Sequence, residues 1–184
     1  MPRCSKKNKE AIRPCLAFYL ENGRIIRRDC SINWNRGFSR SAKLDYIQQI
    51  SDRLIKYGQV LDVTTASPSE QGKSLSPYCT YISGMSTEDY WHGFKKTLKD
   101  YIPGAYDYIY LGSLSEEQRE FVLTQNGFSD VFHKPESGSN AQARSLCVFK
   151  LLHQQGKCYL LNDATQFIRW YLENCRNVII LTVD

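Results

Sequence analysis

The chain alternates between short apolar runs and apolar stripes at helical spacing. Leu16-Ala-Phe-Tyr-Leu20 has strand composition, Glu21-Asn-Gly23 is a turn signal, and Arg24-Ile-Ile-Arg27 follows as a hairpin return. Beyond Ser39 or Ser41 as a cap, Tyr46, Ile47, Ile50, Leu54 and Ile55 recur at helical spacing until Gly58. Gln59–Thr64 is a second predicted strand, and residues 65–86, rich in Ser, Pro and Gly, read as a long loop. Ser86 caps a predicted helix over 87–101, with Trp91, Phe94, Leu98 and Tyr101 as its buried stripe.

The pattern then becomes less regular. Tyr106–Leu111 is a short aromatic segment that fits either helix or strand. Ser115 and Gln118 form a capping-box pair for a helix to Gln125, and 128–139 reads as irregular. A helix is predicted over 140–155, a strand over 157–161, a helix from the Asp163 cap to Cys175, and a β-branched strand over 177–183. There is no βαβ rhythm, so the expected class is α+β, with mixed short strands and several packed helices. The expected division is a basic, flexible N-terminus over 1–13 and one domain over 14–184.

Charge changes this picture. The 184 residues carry a net charge of +5, but residues 1–43 hold 11 Lys/Arg against 3 Asp/Glu, and residues 44–184 hold 13 against 16. Arg24, Arg27, Arg28, Arg36 and Arg40, with Trp34 and Phe38 among them, suit a nucleic-acid surface; an ordinary charged face fits the same residues. Apolar residues at 42% exclude a disordered chain, and no run approaches the roughly 20 residues that span a bilayer. The start at Met1-Pro-Arg-Cys lacks the apolar stretch of a secretory signal. Seven cysteines with no CxxC pair point to structural thiols, so a cytoplasmic setting is expected. His92, His133 and His153 are isolated, and neither a metal nor a cofactor is expected.

Three constellations carry candidate chemistry. Glu88 and Lys95, seven apart, fall about 20° apart around a helix and two turns apart along it, with His92 offset by about 40°. An amine with a lowered pKa can form a Schiff base with a sugar aldehyde, and a carboxylate can move protons beside it; an exposed polar stripe has the same spacing. Phe128-Ser-Asp130 followed by Ser139-Asn-Ala-Gln-Ala-Arg144 can present Asn140, Gln142 and Arg144 to a phosphate at a helix start, or simply cap that helix. Ser76 and Tyr78 belong to a Gly/Ser-rich loop after Gly72 that matches no standard phosphate-binding pattern.

Taken in order, these segments resemble a NADAR-type domain, closest to the NADAR proteins paired with DarT-type DNA ADP-ribosyltransferase toxins. The resemblance runs through Asn33-Trp-Asn-Arg-Gly-Phe-Ser-Arg-Ser-Ala-Lys43, Leu61-Asp-Val-Thr-Thr-Ala-Ser67, Gly72-Lys-Ser-Leu-Ser-Pro-Tyr78 and Glu88-Asp-Tyr-Trp-His-Gly-Phe-Lys95. It continues through Tyr106-Asp-Tyr-Ile-Tyr110 and the two segments ending at Asp130 and Arg144, covering most of residues 14–155. It implies removal of ADP-ribose from a nucleobase, guanine in nucleic acid, by an N-glycosidase acting as an antitoxin. Lys95 is then the nucleophile, Glu88 its acid/base partner and Asp130 a further carboxylate. Trp91, His92, Ser76, Tyr78, Asn140, Gln142 and Arg144 line the substrate. The implied partners are ADP-ribosylated nucleic acid or nucleotide and an ADP-ribosyltransferase toxin. His92 stands where the family has Gln and Trp91 where it has Phe. Only ten residues separate Lys95 from Tyr106, where the family has a longer insert. The alternative is a non-catalytic module that binds nucleic acid, ADP-ribose or a toxin.

Overall fold

Strand β1 (Ala11–Glu21) alternates its side chains between two cores. Leu16 and Phe18 enter one, and Cys15, Ala17 and Tyr19 enter the other, all at most 2% exposed. A strand buried on both faces must sit mid-sheet with helices above and below, which is why its sequence is an apolar run rather than an alternation. The fold is that of a computed structural model, which describes residues 11–34, 39–130, 142–175 and 178–183.

A two-residue Asn22-Gly23 turn, with both φ positive, returns β1 into β2 (Arg24–Trp34). The mixed five-stranded sheet is completed by β3 (Val60–Asp62), β6 (Gly127–Ser129) and β7 (Ile179–Thr182), in the order β3-β6-β1-β2-β7. β3 runs parallel to β6 and β7 parallel to β2; the other pairings are antiparallel. Helix α1 (Arg40–Leu54), capped by Ser39, covers one face through Tyr46, Ile47, Ile50 and Leu54. The other face is covered by α6 (Gln142–Gln154), backed by α4 (Ala105–Gly112) and α7 (Ala164–Asn174). The smaller elements are α2 (Glu70–Ser74), the hairpin β4 (Tyr81–Ile82) and β5 (Met85–Ser86), α3 (Thr87–Thr97) and α5 (Glu116–Thr124). No helix among the described residues is long and apolar enough to cross a membrane.

The α+β class follows the sequence reading, with local corrections. The 65–86 loop contains α2 and the β4–β5 hairpin. Helix α3 ends at Thr97 because Leu98 turns extended, at φ −79° and ψ 133°; Leu98 is only half-buried and Tyr101 is exposed. The ambiguous aromatic segment is helix α4, burying Tyr106, Asp107, Tyr110 and Leu111 on one side. Residues 158–162 form a 3-10 turn, not a strand: adjacent Leu160 and Leu161 are both buried, which a strand's alternation does not allow on a one-sided surface. Arg13 belongs to the sheet, stacked 4.2 Å over Trp34, rather than to a tail.

Two glycines set close approaches near the sheet's end. A Cβ on Gly127 would lie 2.6 Å from the fully buried Tyr19 ring, and one on Gly72 would lie 2.4 Å from the Asp62 carbonyl oxygen. Gly127→Ala therefore lowers stability by about 1–3 kcal/mol through overpacking. Gly93→Ala, in open space on α3, raises it by about 0.5–1 kcal/mol. Urea midpoints of the two variants check this; an unchanged midpoint for Gly127→Ala contradicts the tight packing of β6 on Tyr19.

Candidate active site

Helix α3 is fixed by the loop before it. Ser86 caps it by accepting from the Asp89 N–H at 3.2 Å, and the Glu88 N–H donates to the Pro77 carbonyl at 3.0 Å. Thr80 Oγ1 donates to Thr87 Oγ1 at 2.8 Å, and the Tyr110 hydroxyl donates to the Leu75 carbonyl at 2.6 Å. The Ser76–Tyr78 segment is thereby tied to both α3 and α4. Ser76 is buried in that arrangement, its carbonyl accepting from Cys79 and Thr80.

Glu88 and Asp130 come from separate elements, α3 and the end of β6. Asp130, only 7% exposed, directly follows β6. Glu88 stands on the first turn of α3, its Oε1 3.1 Å from His92 Nε2. Tyr78 is exposed, and its hydroxyl is pushed up by partial burial and then by the charges of Glu88, Asp89 and Asp130. Buried Tyr106 is pushed well up, first by burial and then by Tyr110, with Glu88, Asp130 and Asp107 also contributing. Two carboxylates distant in sequence thus bear on the same two phenols. Lys95 lies two turns along α3 from Glu88 and is exposed, without an ion pair among the described residues. His92 is exposed. Trp91 is buried, edge-on to Tyr106 at 5.4 Å.

Two buried carboxylates go beyond the residues singled out in the sequence. Asp62, at the end of β3, accepts from Thr64 Oγ1 at 2.5 Å, and Ser129 Oγ lies 3.5 Å from its other oxygen. Asp107, on α4, accepts from Ser145 at 3.0 Å and faces Arg144 at 3.6 Å. Both stand inside segments that resemble the family, but nothing in their spacing marks them as buried. Arg144 is committed inward: besides Asp107 it donates to the Tyr171 hydroxyl and, at 2.9 Å, to the Cys175 carbonyl. It joins α6 to α4 and α7. Gln142 opens α6 and is largely buried, while Asn140 lies outside the described residues.

The arginines divide similarly. Arg27 forms a two-point pair with Asp29 at 2.6 and 2.7 Å. Arg28 is buried, pairs with Glu21 at 2.7 and 2.9 Å and lies 3.7 Å over the Tyr57 ring. Arg24 and Arg40 are exposed, and Arg36 lies outside the described residues. No group of three metal-ligating side chains occurs among the described residues.

Burial holds Asp107 above its ordinary value of 3.8, outweighing the opposing pull of Arg144. The native state therefore binds the proton more tightly than the unfolded chain, and this contribution is lost as pH rises through the raised pKa. Relative to Asp107→Asn, the wild type should lose stability as pH rises from below 3.8. Arg144→Met leaves Asp107 buried and unpaired, and should cost about 3–5 kcal/mol at neutral pH. Chemical denaturation across pH measures both.

Residues 93–178 match the family described as the DarT1-associated NADAR antitoxin. The matched stretch contains Lys95, Asp130, Asn140, Gln142 and Arg144, and begins after Glu88. No curated protein matches the chain.

Proposed function

We propose that the chain is a NADAR-type antitoxin that removes ADP-ribose from guanine in nucleic acid, a reading that the match of residues 93–178 to the DarT1-associated NADAR antitoxin family supports. The observation that carries this reading is the anchoring of Glu88 to the Pro77 carbonyl, beside Tyr78, on the first turn of the helix that bears Lys95. The toxin that installs the modification is the functional partner.

In this reading the Lys95 amine bonds to the ribose C1 as the bond from C1 to the base breaks. Glu88, as the acid, gives its proton to the leaving base. The ring oxygen then departs from C1 and takes the amine's proton, leaving an iminium that water hydrolyses to free ADP-ribose and the amine. Asp130 accepts the proton of that water. The exposed ring of Tyr78 offers a stacking face for the base. His92 orients Glu88, and Gln142, at the start of α6, serves the sugar and phosphates, the role the resemblance also gives Asn140. Arg144 acts as a positioning residue, since its donors are already used within the fold.

The exposure of Lys95 favours a second reading, a module that binds ADP-ribosylated nucleic acid or the toxin without turnover. Borohydride reduction in the presence of ADP-ribosylated guanine DNA separates the two. The catalytic reading expects an adduct mapped to Lys95, free ADP-ribose without reductant, loss of both in Lys95→Ala, and about 10²-fold slower release in Glu88→Gln. A wild type that yields neither adduct nor ADP-ribose leaves only the binding module.

The ion pairs of Arg27 and Arg28 also narrow the proposed nucleic-acid surface. Neutralising Arg24 or Arg40 should each reduce the slope of log K against log[salt] by about 1, weakening binding alike across sequences. Arg28→Ala should leave the slope unchanged while lowering stability. Fluorescence titration at several salt concentrations checks the slopes; an equal loss of slope for Arg28→Ala contradicts its inward role.

A further inference from the structure

An open groove of about 810 Å³ runs between α2 and α5, below the β4–β5 hairpin. None of the described residues proposed for ADP-ribose chemistry lines it. Its walls carry Glu70, Glu117 and Glu120 and no Lys or Arg. Glu70 is paired with Lys73, but Glu117 and Glu120 make no ion pair among the described residues. The positive N-terminal end of α5 accounts for Glu117; it does not account for Glu120, a turn further on. Unpaired like charges along one wall cost stability unless a cation answers them.

The groove also has an apolar floor and rim. Phe121 is half-buried, and Tyr81 is 62% exposed. The backbone that carries Tyr81 is fixed on both sides. Tyr81 is paired with Ser86 across the hairpin, and its neighbour Thr80 is held to Thr87 by two hydrogen bonds, 2.8 and 2.9 Å. An exposed ring beside carboxylates is a receptor for a cation on an apolar stem: the ring faces the charge and the stem lies along the apolar floor. The groove's sign is opposite to that of the chain as a whole, whose net charge is +5, so a polyanion is excluded from it by the charges that suit a polycation.

We propose that this groove is a docking site for an Arg/Lys-rich segment of a partner protein. The proposal stands apart from the glycosidase reading, because its residues and its ligand differ. Cys79 lines the groove with an exposed thiol, which makes occupancy measurable in the full chain. The experiment alkylates the protein with iodoacetamide, with and without a synthetic hexa-arginine peptide, and reads Cys79 by peptide mass mapping. The expected result is protection of Cys79 by about fivefold or more. Protection should be lost in Glu117→Gln/Glu120→Gln, reduced in Tyr81→Ala, and kept in Asp52→Asn/Glu173→Gln, which removes two exposed acids elsewhere. No protection overturns the proposal. So does equal loss in the distant double variant, which means diffuse attraction, or equal protection by spermine, which means a small-polyamine site. Circular dichroism of each variant confirms that it is folded.

Discussion

The two-sided burial of β1 is the constraint on which the rest of the structure depends. Because Leu16 and Phe18 enter one core while Cys15, Ala17 and Tyr19 enter the other, both faces of the sheet need a helical cover. Helix α1 supplies one cover and α6, with α4 and α7, the other. The depth of this burial is visible in its chemistry: the Cys15 thiol is pushed up to about 12, chiefly by loss of solvent, which leaves it a packing group rather than a nucleophile. Gly127 brings β6 against the Tyr19 ring, and β6 in turn delivers Asp130 to the edge of the second core.

From that frame, the candidate site is assembled by polar ties between short segments. The Leu75 carbonyl holds Tyr110, the Pro77 carbonyl holds the start of α3, and the Thr80–Thr87 contacts close the loop between them. Glu88 is therefore presented from a helix whose first turn is anchored at several points. The Asp107–Arg144–Tyr171 cluster does the same for α6, binding its first turn to α4 and α7. A buried pair of this kind adds little net stability, but removal of either member is costly, so it fixes how the three helices meet.

The basic segment illustrates how charge in a sequence is divided by a fold. Of the five arginines considered as a surface, Arg27 and Arg28 answer Asp29 and Glu21, Arg28 also lying over the Tyr57 ring, while Arg24 and Arg40 remain exposed. Trp34, interleaved with them, stacks on Tyr46 at 4.1 Å and under Arg13. An aromatic residue among arginines fits an internal sandwich as well as a nucleic-acid surface, because a guanidinium stacks on a ring in either setting.

What the sequence determined by itself was whatever rests on local chemistry. The Asn22-Gly23 turn, the Ser39, Ser86, Ser115 and Asp163 caps and the apolar stripe of α1 are legible because each needs only neighbours in the chain. The α3 face with Glu88, His92 and Lys95 is legible for the same reason, since helical periodicity sets it. Only the tertiary structure decided that Tyr106–Leu111 is a helix, that 158–162 is a turn, and that Asp62 and Asp107 are buried carboxylates. It also tied the start of α3 to the Pro77 carbonyl and turned Arg144 inward. These depend on which distant groups meet, and burial and pairing free energies are properties of those meetings rather than of any segment alone.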